Sequence, residues 1–491
     1  MKQLFIILGM VLYMTEGHAQ NLNRRRAHNA LDEFRKETRQ DFEDFRKKCM
    51  DDFIDFVRNP WKEFEETPPI PMPKEDEVPP VVIPKDDEKK PIEDKPVVID
   101  DVIKPIPVQP QPKPVVPIEE KPMPEVKYVE FGMYGTTGKV RFDVSKRVHL
   151  QGLEEDQVAD ALKNFSPSDY DNLIYDCLNK RNELQLSDWA YLQMLKIISD
   201  KIAGGDNNDS ALLLTYLLMQ SGYRTRLAHD GQKLYTLYAS DHYIYDKLSF
   251  DLDGYKYYGV NDLPNRLYIS QASFPKEKSM SLLVTKAQKF ALNKGNIRTI
   301  QSKKYSNVKF GVSINKNLID FYNTYPASML NKNFITKWAM YANTPLDVDV
   351  KNQVYPTLKE CLKGCSQLEA VERLLNFVQT GFVYEYDDKI WGRDRAFFAE
   401  ESLYYPYCDC EDRSILFTRL VRDLVGLKCI LIYYPGHLAS AVEFTQGDVK
   451  GDYIMLNGHK YIVSDATYIN APVGLTMPGM DNKGATVILL E

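Results

Sequence analysis

The first strong pattern along the chain is a pair of apolar rows within the charged segment 20–66. One row consists of Leu31, Phe42, Phe53 and Phe64, and the other of Phe34, Phe45 and Phe56. Each row repeats every eleven residues, which is about 3.67 residues per helical turn, so both rows stay on one face of a nearly straight helix. The pattern predicts a long amphipathic helix that Pro60 ends or kinks, because proline removes a backbone donor and clashes with the preceding turn.

An isolated helix with such a stripe has to bury it on a second copy, on a partner or on a membrane surface. Acidic and basic residues are mixed along the segment. This mixture favours association over adsorption to lipid, since membrane-binding helices carry a basic polar face. We therefore expect residues 22–66 to serve self-association or binding to an envelope partner.

Residues 67–125 differ sharply in composition from the sequence on either side. Seventeen of the chain's 28 prolines lie there, among Val, Ile, Lys, Glu and Asp, and the stretch has neither glycine nor aromatic residues. Such a composition is typical of extended, semi-rigid linkers that build no core of their own. It predicts a proline-rich spacer that separates the N-terminal helix from the globular part.

From residue 126 onward, apolar residues recur with both helical and strand periodicity. The patterns predict helices at 188–202, 211–219 and 367–380, and strands at 128–142, 232–238 and 255–260. This mixture predicts an α+β fold. We divide it into a domain at 126–300, a connecting region at 301–369 and a second domain at 370–491.

Two parts of the globular region resemble each other in sequence. The matching pairs are Asn207-Asn-Asp209 with Cys410-Glu-Asp412, the apolar runs 211–217 with 414–420, and Gly254-Tyr-Lys-Tyr257 with Gly458-His-Lys-Tyr461. Such a repeat predicts two tandem copies of one fold. The first copy has Asn207 in the place of Cys410, and Gln232 and Lys233 where the second copy has a histidine, so we expect it to be degenerate.

Cys410 stands at the predicted start of a helix. The apolar residues that follow it, at positions 416, 417, 420, 421 and 424, describe one face of that helix. A cysteine at a helix N-terminus feels the positive end of the helix dipole, which lowers the pKa of the thiol and favours the thiolate. The adjacent Glu411 and Asp412 oppose that effect, so thiol chemistry here requires a cationic partner such as histidine.

A suitable histidine follows 27 residues later, in the strand-like run 435–444. Alternation places His437, Ala439 and Ala441 on one face, where the small neighbours leave room for the imidazole to face the helix end. A second strand at 461–465 ends in Asp465, which could fix the orientation and tautomer of the imidazole if the two strands pair. The predicted catalytic residues are therefore Cys410 as nucleophile, His437 as base and Asp465 as the orienting carboxylate.

Structural readings of the same residues stay open at this point. Cys410 could be a buried structural cysteine, or it could pair with Cys429 or Cys365. His437 could be a core histidine with satisfied hydrogen bonds. His459 is a rival base, although Gly458-His459-Lys460 has the composition of an exposed turn.

The segments around these residues resemble the transglutaminase-like superfamily of papain-like thiol enzymes. The matching segments, within residues 370–491, are Ala399-Glu-Glu-Ser-Leu403, Cys410-Glu-Asp412, Gly436-His437 and Asp465-Ala-Thr467. The resemblance implies a helix packed on an antiparallel sheet. It also implies thiol attack on an amide to give an acyl-enzyme, which water hydrolyses or an amine intercepts. The chain departs from the family pattern at Cys408, Leu438 and Ala466, where the family often has glycine, an aromatic residue and proline.

Composition and charge exclude several other classes of function. The net charge is -7 and the isoelectric point is about 5.7, so the chain has no basic field that would attract nucleic acid. Its seven cysteines are too few for a disulfide scaffold and leave at least one thiol unpaired within the monomer. Cys408 and Cys410 lack the second ligand pair of a zinc site, and we expect neither metal nor cofactor.

The N-terminus has the pattern of a signal peptide. Residues 1–19 carry one lysine, an apolar run at 4–14 and a Gly17-His18-Ala19 end with small residues at the positions that a signal peptidase reads. No later segment is apolar enough to predict a transmembrane helix. We therefore expect a periplasmic or extracellular protein.

Together, these patterns predict an exported, thiol-dependent enzyme that acts on an amide bond of a protein or peptide. We expect a cysteine peptidase or amidase, with transamidation as the less favoured outcome because water competes with amines unless the site excludes it. The alternative is a non-catalytic assembly or binding protein of the cell envelope that uses an inactive fold of this type.

Overall fold

The computed structural model describes residues 19–74, 76–84, 90–165, 167–480 and 485–491. All but the last residue of the predicted signal peptide lies outside these ranges. The chain is 34% helix and 23% strand, and the central strands of its two large sheets are antiparallel, which confirms the α+β class. Within the described ranges, no helix combines the length and the apolar character needed to cross a bilayer.

The helices and strands are numbered in chain order. The helices are α1 Ala19–Val57, α2 Glu155–Lys163, α3 Pro167–Glu183, α4 Asp188–Ala203, α5 Asn208–Gln220, α6 Lys316–Tyr322, α7 Lys337–Asn343, α8 Val348–Leu362, α9 Gln367–Gly381, α10 Asp387–Ile390, α11 Ala399–Tyr404 and α12 Cys410–Leu424. The strands are β1 Lys62–Glu65, β2 Lys95–Pro96, β3 Ile99–Ile103, β4 Tyr128–Met133, β5 Thr136–Arg141, β6 Thr225–His229, β7 Leu234–Ser240, β8 His242–Ile244, β9 Ser249–Leu252, β10 Tyr255–Gly259, β11 Arg266–Ile269, β12 Arg298–Gln301, β13 Lys309–Val312, β14 Ser328–Leu330, β15 Val383–Tyr384, β16 Tyr407–Cys408, β17 Cys429–Tyr434, β18 His437–Glu443, β19 Asp452–Leu456, β20 His459–Val463 and β21 Ala485–Leu489.

Helix α1 is shorter than the predicted helical segment 20–66. It ends at Val57, three residues before Pro60. Residues 62–65 then form strand β1, which pairs with β11 and brings Phe64 opposite Leu267. The prediction of helix beyond residue 57 is therefore wrong, because proline breaks the helical hydrogen-bond pattern and the following residues pair with a sheet edge.

Two sheets have the same topology. The first has the order β1-β11-β6-β7-β10-β9, and the second has the order β2-β19-β20-β18-β17-β21-β3. When the added edge strands β1, β2 and β3 are set aside, both read fifth, first, second, fourth, third in chain order, with every neighbouring pair antiparallel. This shared order supports the tandem copies that the sequence repeat predicts.

Each sheet has one helix packed on its centre. Helix α5 packs on β6 and β7, and helix α12 packs on β17 and β18. Both helices immediately precede the first strand of their sheet, so the unit of helix followed by five strands occurs twice. The connecting region 301–369 supplies helices α6, α7 and α8, whose apolar residues join the same buried cluster as both copies.

The proline-rich segment 67–125 is not a free spacer. Its described residues add β2 to one edge of the second sheet and β3 to the other, both parallel to their neighbours. Val97, Val116 and Ile118 are buried, each no more than 8% exposed. The prediction of a spacer that separates the helix from the globular part is therefore wrong. Prolines lack a donor, but the valines and isoleucines between them still bury apolar surface and accept edge hydrogen bonds.

We expect Val97→Asp to lower the free energy of unfolding by about 2–4 kcal/mol, because it places an unpaired carboxylate in an apolar cluster. Val97 is 7% exposed, and its N–H donates to the Tyr453 carbonyl oxygen at 2.8 Å. Val98→Asp is the matched control, since Val98 is 59% exposed and such surface changes stay within about 0.5 kcal/mol. Urea unfolding followed by circular dichroism measures both, and equal midpoints would show that the segment is not part of the fold.

Candidate active site

Cys410 occupies the first position of helix α12. Asp409 is the N-cap residue, and its side chain accepts the backbone N–H of Asp412 while the Asp412 side chain accepts the N–H of Asp409, a reciprocal capping box. Asp412 also accepts the N–H of Phe397 at 2.7 Å. The start of the helix is thus fixed to the preceding loop, and Cys410 lies there with 2% of its surface exposed.

His437 and Asp465 form a buried pair, as the predicted strand pairing requires. Strands β18 and β20 are antiparallel, with Ala441 opposite Val463. His437 Nε2 lies 2.9 Å from Asp465 Oδ2, and both side chains are almost fully buried. Asp465 Oδ1 accepts the N–H groups of Thr467 and Tyr468 at 2.8 and 3.2 Å. The carboxylate is therefore held rigidly against the imidazole.

The turn before His437 explains how the proline-rich segment reaches the site. Gly436 has φ +76°, and a Cβ there would lie 2.3 Å from the Asp76 carbonyl oxygen. The N–H of Val78 donates to the Gly436 carbonyl at 2.9 Å. Only glycine allows this close approach, and it places Asp76 and Glu77 beside the predicted catalytic residues. Sequence analysis missed this role because the segment shows no strand or helix pattern.

Cys410 and His437 are not hydrogen-bonded to each other. The Cys410 Sγ–H instead donates to Glu411 Oε2 at 3.3 Å. His437 Nδ1 is buried and has no hydrogen-bond partner among the described residues. Of the two contacts in the predicted triad, the structure forms the one between His437 and Asp465 but not the one between Cys410 and His437.

The alternation of strand β18 differs from the prediction. Leu438 and Val442 pack in the cluster beneath helix α12, whereas Ala439 and Ala441 pack in a separate cluster on the opposite face of the sheet. The expectation that the small residues face the helix is therefore wrong. Large apolar residues fill the space under the helix because that interface is the main core of the domain.

The surroundings raise the pKa of the Cys410 thiol well above its ordinary value. Burial is the largest cause, followed by the negative charges of Glu411 and Asp409, and the Leu438 N–H lowers the pKa only in part. The prediction of a thiol pKa lowered by the helix start is thus not met. The end of a helix carries about half an elementary charge, which does not offset burial and two adjacent carboxyl groups.

Buried carboxyl groups surround the nucleophile. Burial and neighbouring acids raise the pKa of Asp387 to about 9 and that of Glu411 to about 8, and they raise the pKa of Asp409 as well. One oxygen from each of these three residues lies within 4.8 Å of the others. Oxygens so arranged could hold a hard cation, but the raised pKa values mean that protons also neutralise the cluster near neutral pH.

We expect Glu411→Gln to speed alkylation of Cys410 above about pH 8 and to leave it nearly unchanged near pH 6. The pKa of Glu411 is raised to about 8, so its side chain opposes the thiolate only above that pH. Removing this adjacent charge is expected to raise the alkylation rate about tenfold near pH 9, equivalent to a shift of about one unit in the thiol pKa. Iodoacetamide labelling read by peptide mass spectrometry measures the rates.

Glu400→Gln is the control for this experiment. Glu400 is equally buried and its pKa is also raised to about 8, but it accepts the backbone N–H of Asp347 at 2.5 Å rather than the thiol. If Glu411→Gln and Glu400→Gln gave the same alkylation profile, the Glu411 carboxylate would not control the thiol.

Cys410 and His437 line a common cavity of about 540 Å³. Its walls include Phe334, Trp338 and Tyr433, with Trp338 stacked on Tyr433 at 5.2 Å between ring centroids. The Trp338 indole Nε1 is buried and has no partner among the described residues. Sequence analysis missed these aromatic residues because Phe334 and Trp338 lie in the connecting region, far from the motif.

The first copy has an equivalent contact without the chemistry. Asn208 is the first residue of helix α5 and accepts the N–H of Leu234 at 2.9 Å, whereas Asn207 is the N-cap residue, as Asp409 is in the second copy. The prediction that Asn207 takes the place of Cys410 is therefore wrong by one residue. In the second copy, the sulfur of Cys410, the first residue of helix α12, accepts the N–H of Leu438. Lys233 precedes Leu234 where His437 precedes Leu438, so the first copy presents neither a thiol nor an imidazole there.

All seven cysteines are free thiols, so no disulfide blocks Cys410. No family model matches the chain, and no curated protein is significantly similar to it in sequence. The functional argument therefore depends on the geometry of the site.

Proposed function

We propose that this protein is an exported thiol-dependent amide hydrolase of the transglutaminase-like kind, acting on a protein or peptide. The observation that carries the proposal is the buried His437–Asp465 pair. Among the described residues, His437 Nδ1 has no hydrogen-bond partner, and Cys410 lines the same cavity. A buried imidazole nitrogen without a partner costs stability. Its retention beside a free thiol supports a chemical role.

In the proposed reaction, the Cys410 side chain turns from Glu411 towards His437 Nδ1 when substrate enters. The Asp465 carboxylate accepts the Nε2–H of His437, so Nδ1 keeps its lone pair and removes the thiol proton. Sγ forms a bond to the amide carbonyl carbon, and His437 returns the proton to the nitrogen that leaves. Water then attacks the acyl-enzyme with the same histidine as base, which releases the acid and restores the thiol.

Two donors are available for the oxyanion that develops on the carbonyl oxygen. The N–H of Cys410 is at the first helical position, where backbone donors have no acceptor within the helix. Trp338 lines the cavity, and its Nε1–H is a buried donor with no partner in the part of the chain that the structure describes. Preorganised donors of this kind stabilise the transition state because they need no reorientation during the reaction.

Because the raised thiol pKa keeps Cys410 protonated, the proposed mechanism transfers the proton during attack rather than starting from a thiolate–imidazolium pair. This resting state also protects an exported thiol from oxidation, since the thiolate is the form that oxidants attack. Hydrolysis is proposed over transamidation because the cavity is open to water and a second substrate would have to exclude it.

A screen of aminomethylcoumarin amides of mixed short peptides tests the proposal on the mature chain. We expect slow release of the fluorophore that requires Cys410 and is lost in Cys410→Ala. Cys429→Ala is the matched control, because Cys429 is also buried and free but lies on strand β17. Cleavage that persists in Cys410→Ala would contradict the proposed nucleophile.

A non-catalytic assembly or binding role is the second candidate. The contact between Cys410 and Glu411 favours it, since the thiol has a partner other than the imidazole and its pKa is raised. In that case Cys410 would resist iodoacetamide across the pH range and the amide screen would show no turnover.

A further inference from the structure

The N-terminal part of helix α1 is exposed over most of its described surface. Cys49, Phe53, Ile54 and Val57 near its end are buried, and Phe53 packs edge-on against Phe274. From Leu31 to Phe45, every side chain that the structure describes is exposed except Thr38, which is half-buried. Fifteen helical residues cover about 22 Å at 1.5 Å per residue.

The exposed part of the helix carries large apolar side chains on one face. They are Leu31, Phe34, Phe42 and Phe45, with exposures of 42%, 48%, 48% and 45%. Leu31 and Phe42 continue the row of Phe53, which is 5% exposed because the body covers it. Phe34 and Phe45 continue the row of Phe56, which is 59% exposed. The stripe therefore runs along the edge of the body contact without a cover, and an isolated helix of this kind needs a partner to bury it.

We propose that this face pairs with a second copy of the chain in an antiparallel, two-fold symmetric helix pair with Thr38 on the symmetry axis. In this register Phe34 lies opposite Phe42 of the second copy, and Leu31 lies opposite Phe45 of the second copy. The five core positions 31, 34, 38, 42 and 45 are then all filled by apolar residues or by the small Thr38. An eleven-residue repeat keeps these positions aligned in a nearly straight pair.

Charge supports the antiparallel direction. The first half of the helix, residues 19–38, has five Arg and Lys and three Asp and Glu, and the second half, residues 39–57, has four Arg and Lys and six Asp and Glu. An antiparallel pair places the positive half against the negative half, whereas a parallel pair places like beside like.

The contacts that the helix already makes leave this face accessible. Residues 119–121 run alongside the helix, where Arg39 pairs with Glu119 at 2.5 Å and Lys121 pairs with Glu43. At 100° per residue, Arg39 lies about 100° and Glu43 about 140° from the centre of the apolar stripe. The antiparallel arrangement also places the two globular bodies at opposite ends of the pair.

Cysteine cross-linking of the mature full chain tests the register. Thr38→Cys is expected to form a position-38 to position-38 disulfide under mild oxidation, because both copies meet at the axis. Leu31→Cys alone is expected not to cross-link, since the two copies of position 31 are about 21 Å apart along the pair. A mixture of Leu31→Cys and Phe45→Cys chains is expected to give the mixed cross-link. Peptide mass spectrometry separates these bonds from any made by native cysteines.

Lys36→Cys is the matched control, because Lys36 is exposed on the outer face of the helix. Cross-linking of Leu31→Cys to itself would indicate a parallel pair and overturn the proposal. Equal cross-linking of Lys36→Cys and Thr38→Cys would show random collision and overturn it as well.

Multi-angle light scattering gives an independent measurement on the native sequence. We expect twice the mass of one chain, with loss of the dimer in Phe42→Glu and its retention in Phe42→Leu. Circular dichroism checks that both variants are folded. Because position 42 is exposed, we expect neither substitution to change the buried end of the helix or the Cys410 site. A monomeric native chain would overturn the proposal, including the case in which it binds phosphatidylglycerol vesicles through this face.

Discussion

Alanine in place of His437 is expected to reduce amide hydrolysis by about a thousandfold or more. His437 would remove the thiol proton and later donate it to the leaving nitrogen, and loss of both steps leaves a protonated thiol in a buried site. The raised pKa of Cys410 makes this dependence strong, because the thiol does not ionise near neutral pH without a base. Initial rates on the most active aminomethylcoumarin peptide, with saturation curves, measure the effect.

The same variant separates a chemical role from a structural one. We expect kcat to fall while KM stays within about threefold, since the imidazole acts on the reacting atoms rather than on the remainder of the peptide. His459→Ala is the matched control, because His459 is half exposed and contacts Glu443 instead of Asp465. A His437→Ala protein that is folded and retains more than about a tenth of the activity would exclude His437 as the base.

The relation of His437 to Asp465 could be predicted from the sequence because it depends on local patterns. Alternation identifies both strands. Their pairing is a condition of the prediction, because strand β19 lies between β18 and β20 along the chain. The predicted contact between Asp465 and the imidazole is confirmed at 2.9 Å. The start of helix α12 at Cys410 is predicted for a similar reason, since capping residues and the apolar face are all close in sequence.

The remainder of the site depends on contacts between distant parts of the chain. Glu77 comes from the proline-rich segment, and it accepts the Tyr384 hydroxyl at 3.3 Å. Trp338 comes from the connecting region and stacks on Tyr433. No periodicity in the sequence specifies such neighbours, so neither residue was expected near Cys410.

The thiol pKa shows why electrostatics was harder to predict than topology. The helix dipole and the identity of Glu411 are visible in the sequence, but the degree of burial is not. Burial is the largest cause of the raised pKa of Cys410, and Asp409 adds to it from the N-cap position. The sign of the shift therefore depends on how deeply the helix start is packed, which only the folded structure determines.

Asparagine in place of Asp465 is expected to lower kcat by about a thousandfold to ten-thousandfold while the fold is preserved. Asp465 Oδ1 accepts two backbone N–H groups, from Thr467 and Tyr468. An asparagine must keep its carbonyl oxygen at that position, because an amide NH₂ cannot accept those bonds. Its NH₂ group would then point at His437 Nε2 and donate to it.

A donor at Nε2 forces the imidazole proton onto Nδ1, which is the nitrogen that must remove the thiol proton. The variant would thus hold the ring in place with the wrong tautomer, the same cause of lost rate as in other catalytic triads. Nitrogen NMR of ring-labelled histidine measures the tautomer directly, and peptide amide hydrolysis measures the rate. Asp452→Asn is the control. Asp452 lies on strand β19, next to β20, and also accepts a backbone N–H, that of Thr476 at 2.9 Å, but it does not contact His437.

The two readouts distinguish the possible outcomes. A changed tautomer with loss of activity supports Asp465 as the residue that orients the base. Full activity with a changed tautomer would mean that His437 Nδ1 does not act on Cys410, and the proposed proton transfer would be wrong. An unchanged tautomer with full activity would show that the His437–Asp465 pair is structural. Replacing the carboxylate by an amide would then affect neither the imidazole nor the reaction.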